Sequence, residues 1–249
     1  MRIPRIYTSQ PLQLTTAVAL DDNAANHVAR VLRLPIGAQI QLFNGAGGEY
    51  MSRITSMTKR EVIVTIEQFN AHDVGSALTI HLGQVISRGE RMDFTIQKAV
   101  ELGATEITPL TSDFCNVKLQ EERIDKKLAH WQGIIISACE QSGRTHIPTL
   151  HQPQSILTWI ANCQAQHKLI LEPTVTHSLN ALSPTTDFAL LIGGEGGFSD
   201  KEIQYAHTHH FTGVKLGPRI LRTETAALAV IAALQTLFGD FTDDNHPAE

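Results

Sequence analysis

Three short stretches of the chain have the residue types that a ligand site needs. Glu172-Pro173 follows an apolar run ending at Leu171. Gly193-Gly194-Glu195-Gly196-Gly197-Phe198-Ser199 follows Ile192 and places four glycines in five residues. Gly217-Pro218-Arg219-Ile220-Leu221-Arg222-Thr223-Glu224-Thr225 follows Leu216. Glycines carry no Cβ, so main-chain N–H and C=O groups can come close to a ligand. The glycine spacing fits neither GxGxxG nor a GxxxxGK loop, and no acid follows at the distance of about twenty residues that a ribose would require. Glu195 would repel a phosphate at short range. An uncharged or cationic ligand gripped by main-chain atoms suits this loop, and a sharp reversal needing only glycine is the other reading. Arg219 and Arg222 stand three apart, and their planar guanidinium groups can hold a phosphate or a base edge. Thr223 and Thr225 flank Glu224 as hydroxyl donors or as helix caps.

Other clusters say less. Ser87-Arg88-Gly89-Glu90-Arg91-Met92-Asp93 reads as an ordinary charged helix start, and Arg144 closes a long helix where it also suits the dipole. His207, His209 and His210 lie together without acid or cysteine partners at ligand spacing, so no metal site is expected. Cys115, Cys139 and Cys163 are widely spaced and odd in number, which argues against a disulfide framework. No Ser-His-Asp or Cys-His arrangement stands out.

The elements that must position these loops follow from periodicity. Residues 39–43, 49–56 and 61–69 alternate apolar with polar, the period of half-buried strands, and 22–32 has helical spacing stopped by Pro35. Together they predict a small β-rich module, a compact barrel, over 1–72, with 70–77 as linker. Beyond it, strands at 78–86, 106–110, 168–171, 188–192 and 214–216 alternate with helices at 93–102, 121–141, 155–163, after the Ser199 capping box, and at 223–238. Alternating strand and helix predicts an α/β domain with a parallel sheet over 73–249. In such a sheet ligands collect beyond the C-terminal ends of strands, where the three loops above would lie.

The 249 residues are 42 % apolar and 18 % charged, a globular composition long enough for at least one buried core. The longest apolar run, 226–234, has nine residues, about half of a membrane span, and the start MRIPRIYTSQ has no apolar stretch behind its arginines. A cytoplasmic protein is expected. The net charge of −5 is unevenly spread: residues 1–60 hold seven Lys or Arg against three acids, and the last ten hold four acids and no Lys or Arg. The tail 240–249 is expected to fray.

IGGEGGFSDKEI (192–203) followed by LGPRILRTETAALAVIAAL (216–234) resembles the paired C-terminal motifs of the SPOUT-class RNA methyltransferases, closest to the RsmE family, which methylates N3 of a uridine in 16S ribosomal RNA. QKAVELGATEITPL (97–110), ACEQSGR (138–144), RIYTSQ and HVARVLRLPIGAQIQLFNG extend the resemblance over nearly the whole chain. The family's proline after the first glycine is here Gly194. The resemblance implies a SPOUT domain with a deep trefoil knot, a PUA-like RNA-binding barrel before it, and a homodimer acting on the small ribosomal subunit. It implies S-adenosylmethionine bound by Leu171, Glu172, Gly193, Glu195, Gly197, Leu216, Gly217, Ile220, Leu221 and Arg222. Arg222, Thr223 and Glu224 would hold the uridine, with Glu224 as base. Arg2, Arg5, Arg30, Arg33, Arg88, Arg144 and Arg219 would meet RNA. A non-catalytic RNA-binding or ribosome-assembly factor on the same fold is the alternative, and a small-molecule α/β enzyme taking a phosphorylated ligand is a third reading.

Overall fold

The computed structural model describes residues 3–58, 61–115, 117 and 121–241. Arg2 and 242–249, most of the acidic tail, lie outside them. The chain divides into two units, Met1–Gly75 with Ile136–Ile147, and Ser76–Ile135 with Pro148–Glu249.

The first unit is built on a five-stranded sheet. Its elements are β1 (Arg5–Tyr7), β2 (Ala17–Ala19), α1 (Asp22–Asn26), β3 (Gln39–Phe43), β4 (Glu49–Met57) and β5 (Val62–Asn70), and the strand order is β1-β3-β4-β5-β2. The β1–β3 pair is parallel and the others antiparallel. Alternation buries one side: Ile6, Ile40, Leu42, Ile54 and Val64 are fully enclosed, each contributing about 1.5–3 kcal/mol of burial. The helical stretch is irregular. The Asp21 carboxylate accepts the Ala24 N–H at 3.0 Å to start α1, and the chain then widens into a π-helical turn, His27–Val31. Segment 136–147 joins this unit through polar contacts. Glu140 accepts the Tyr7 N–H at 3.0 Å, and the Thr145 hydroxyl donates to Asp73 at 2.9 Å.

The second unit carries a parallel sheet of seven strands. In chain order come β6 (Thr79–Val85), α2 (Glu90–Glu101), β7 (Glu106–Thr111), α3 (Ile124–Ser142, whose last turns fall in the first unit), β8 (Thr149–Leu150), β9 (Gln154–Ser155) and α4 (Ile156–Asn162). They are followed by β10 (His167–Leu171), β11 (Asp187–Ile192), α5 (Asp200–Thr208), β12 (Thr212–Val214) and α6 (Thr223–Phe238). The order is β12-β10-β11-β6-β7-β8, with β9 also on β7, and every pair is parallel. Covered on both faces, β11 is a run of buried residues from Phe188 to Ile192. The capping box at Ser199 and Glu202 opens α5 as expected.

Among the boundaries that differ from the sequence expectation, two have a local cause in the hydrogen bonding or backbone. The last strand is Thr212–Val214, not 214–216: the Val214 carbonyl accepts the Glu172 N–H at 3.0 Å, and Lys215 N–H then leaves the sheet for the His177 carbonyl, also at 3.0 Å. Helix α2 begins at Glu90, three residues before the expected start, because Gly89 takes a φ of 58° and turns the chain into the helix early.

Candidate active site

Strands β12, β10 and β11 are neighbours and run the same way, so the loops after them emerge side by side. They enclose a cavity of about 340 Å³. Leu171 and Glu172 line it from the first loop, Gly193, Glu195 and Gly197 from the second, and Leu216, Ile220 and Leu221 from the third. Arg219 and Thr223 also reach it. Gly217, Arg222 and Glu224 are not among the lining residues. Gly217, with φ of 72°, makes the turn that returns the chain toward α6. Phe198, Ile203 and Lys215 line the cavity without having been singled out; Phe198 and Ile203 lie inside the glycine motif, whereas no spacing pattern marked Lys215.

The glycine loop folds back on itself. Gly197 N–H donates to the Gly194 carbonyl at 3.0 Å, with Gly197 at φ of 72°. A Cβ on Gly193 would lie 3.2 Å from the Phe198 ring, so the cradle surface is main chain because a side chain there would press on its own wall. A Cβ at 194 would meet Val85 at 3.0 Å, so the proline of the family pattern would require Val85 to shift.

Charged groups frame the cavity. Glu172 is buried, and its Oε2 lies 2.8 Å from His207 Nε2. The other His207 nitrogen faces the Phe211 carbonyl at 3.0 Å, so contact with Glu172 is an ion pair when the imidazole carries both protons. Glu195 pairs with Arg91 at the start of α2. Between the lining residues Leu221 and Thr223, Arg222 is the N-cap residue of α6; it is exposed and makes no side-chain cap bond. Glu224 has its Oε2 buried with no hydrogen-bond partner among the described residues. Thr223 is differently placed from the expectation that it holds substrate. Its hydroxyl donates to the Gly193 carbonyl and accepts from Gln84 Nε2 at 2.9 Å, so both its polar roles are met within the protein.

The arginines expected at the RNA surface separate into two groups. Arg30, Arg33, Arg88 and Arg219 are exposed, Arg33 with φ of 51°. Arg5 and Arg144 are instead inside the first unit. The Arg5 guanidinium donates to the carbonyls of Cys139 (3.2 Å) and Arg144 (3.3 Å) and pairs with Glu49 at 3.3 Å, and Arg144 is 6 % exposed. Internal acceptors consume the Arg5 cation and burial encloses Arg144, which a linear reading of charge does not reveal.

A second polar cluster sits near the opposite, N-terminal end of the parallel strands. His81, Glu106 and His151 bring three ligand-type atoms within 4.8 Å, a donor set of the kind that holds zinc. Hydrogen bonding works against that use. The Trp159 indole N–H donates to His81 Nε2 at 3.2 Å, which leaves the proton on Nδ1, the nitrogen facing Glu106 at 4.0 Å. A metal there would displace that proton from a ring whose other lone pair is already engaged. Burial pushes His81 down to about 4, and the nearby Glu106 only partly offsets this.

Comparison with known proteins agrees with this geometry. Residues 75–235 match the model of an RNA methyltransferase domain, and 20–67 that of an RNA methyltransferase PUA domain. The chain is 40 % identical over 243 residues to ribosomal RNA small subunit methyltransferase E of Buchnera aphidicola subsp. Schizaphis graminum, covering 97 % of this chain and 99 % of that one. Among solved structures, a putative methyltransferase from Legionella pneumophila in complex with the bound cofactor SAM superposes with a TM-score of 0.95 at 42 % identity, over 97 % of this chain and 100 % of its own. The ribosomal RNA small subunit methyltransferase E of Neisseria gonorrhoeae, bound to S-adenosyl methionine, gives 0.91 at 41 % with the same coverage.

Proposed function

The chain belongs to the ribosomal RNA small subunit methyltransferase E family, and from that premise we propose that it transfers a methyl group from S-adenosylmethionine to N3 of one uridine in 16S ribosomal RNA. The observation that carries this reading is the cavity that residues of three adjacent loops line together, with Thr223 and Ala226 of α6 on its wall. Relatives above 40 % identity that bind S-adenosylmethionine favour the catalytic reading over a non-catalytic RNA-binding factor.

The cavity suits that cofactor. It has carboxylates at Glu172 and Glu195, which suit a sulfonium cation, and a glycine at 193 where a Cβ would press on Phe198. Leu171, Glu172, Gly193, Glu195, Gly197, Leu216, Ile220 and Leu221 would hold it, with Gly217 setting the third loop's turn. When bound, S-adenosylmethionine supplies an electrophilic methyl carbon on sulfur.

The protein's task is alignment and charge. Holding two reactants in line can lower a barrier by roughly 7–11 kcal/mol. Uracil N3 must lose its proton, and the charge that develops spreads to O2 and O4. Arg222, exposed at the positive end of α6, is placed to stabilise that charge. Glu224, beside Thr223 in the first turn of α6, is assigned the role of base; its Oε2 is enclosed and off the cavity lining, so taking the N3 proton requires that RNA binding turn it outward. Thr223 becomes a positioning group. Arg30, Arg33, Arg88 and Arg219 offer phosphate contacts. No helix among the described residues is long and apolar enough to cross a membrane, in keeping with action on ribosomal particles in the cytoplasm. A homodimer without a metal completes the reading, and exposed Leu237 and Phe241 near the end of α6 supply apolar surface for it.

The test is incubation with methyl-labelled S-adenosylmethionine and small subunits from a strain lacking the modification, followed by mass spectrometry of the 16S RNA. One methylated uridine, with the label on N3, is expected. No transfer, or transfer to another atom, overturns the proposal.

A further inference from the structure

Gln84 is a fully buried amide in β6, in register with Ile192, the last residue before the glycine loop. Its Nε2 donates to the Val85 carbonyl at 3.0 Å and to Thr223 Oγ1 at 2.9 Å, while its Oε1 is buried without a hydrogen-bond partner among the described residues. Turning the amide over would set its oxygen against the Val85 carbonyl, so Val85 fixes which end faces Thr223. An amide NH₂ only donates. Thr223 Oγ1 must therefore accept from it, and the hydroxyl hydrogen is committed to the Gly193 carbonyl. The chain of bonds runs from the sheet through the first residue of α6 to the first residue of the glycine loop.

We propose that Gln84 is a positioning residue of the methyl-transfer site, which orients the Thr223 hydroxyl so that the glycine loop and the start of α6 are held together as one wall of the cofactor cavity. The inference rests on the S-adenosylmethionine site proposed above. A residue kept only for stability would not leave a buried carbonyl oxygen unpaired where leucine would fill similar space, since an unmet buried acceptor is a cost. The cost is tolerated because the amide's donor end sets the direction of the Thr223 bond.

The experiment is a double-mutant cycle with Gln84→Leu, Thr223→Val and the pair together, reading S-adenosylmethionine affinity by calorimetry, KM for the cofactor and thermal unfolding. Gln84→Leu is expected to unfold at or above the wild-type temperature yet bind the cofactor roughly five- to tenfold more weakly, with KM rising by the same factor. The double variant is expected to be no weaker than the more affected single one. Affinity of Gln84→Leu within about twofold of wild type, additive losses, or loss of stability in proportion to loss of affinity would each overturn the role. Should Gln84→Leu fail to fold, Thr223→Val decides alone, and cofactor affinity within about twofold of wild type rejects the link. Failure of the wild-type protein to bind S-adenosylmethionine overturns the cofactor site itself, and this inference with it.

Discussion

Arg91, in the first turn of α2, and Glu195, the one charged residue among the loop glycines, form an ion pair that ties the glycine loop to a helix on a different strand connection. Their side chains are 45 % and 27 % exposed, so solvent screens the pair and its contribution to global stability is small, about 0–1 kcal/mol. Its consequence is local, because a loop of four glycines has much conformational freedom to lose on binding.

Arg91→Ala is therefore expected to leave the unfolding temperature nearly unchanged while weakening S-adenosylmethionine binding by a few-fold, on the order of 1 kcal/mol. Calorimetry at low and high salt checks it, since the difference between wild type and variant should shrink as salt rises. Equal affinity of the two proteins at low salt would show that the loop needs no such anchor.

Arg222 lies between the lining residues Leu221 and Thr223 without itself lining the cavity. Arg222→Ala is expected to lower kcat by at least about 100-fold with cofactor affinity within about threefold of wild type, the pattern of a group acting on the transition state. Single-turnover methylation alongside cofactor calorimetry separates the two. A parallel loss of both would move Arg222 into the cofactor pocket.

His81 links stability to pH. Burial lowers it from its ordinary 6.5 to about 4, so the unfolded chain takes up a proton that the folded chain refuses. The stabilisation is complete above pH 6.5 and is lost as pH falls toward 4, by at most about 3 kcal/mol. Urea unfolding at pH 7 and pH 5 should show a lower midpoint at pH 5, and His81→Phe should flatten that difference. An unchanged slope in the variant would assign the effect to other groups.

Arg5 and Arg30 should behave oppositely despite their similar look in sequence. Arg5→Ala strands Glu49, which is 7 % exposed, and is expected to cost the first unit about 3–5 kcal/mol. Arg30→Ala is expected to leave stability unaltered, weaken RNA binding, and reduce the salt slope of that binding by about 1. Chemical unfolding and salt-dependent RNA titration of both variants check the contrast.

The glycine loop, the Ser199–Glu202 capping box and the limits of α6 at Thr223 and Phe238 were legible in the sequence because each depends on neighbours within a few residues. Periodicity also exposed the parallel α/β sheet, and with it the rule that loops after adjacent strands share a site. Other features were not legible. The adjacency of β12, β10 and β11, which turns three loops into one cavity, is a matter of strand order. Whether an arginine faces solvent or the Cys139 and Arg144 carbonyls depends on acceptors some 130 residues distant, and so does the recruitment of 136–147 to the first unit. Gln84 carried one faint sign, a polar residue within an apolar strand. Its meaning lies in the direction of the Thr223 hydroxyl, which is set only when Val85, Thr223 and Gly193 are brought within hydrogen-bond reach. Local sequence determines dihedral preferences and which side of an element is apolar. Which donor meets which acceptor across the sheet is decided by packing, because hydrogen bonds need specific distances and directions that chain separation does not encode.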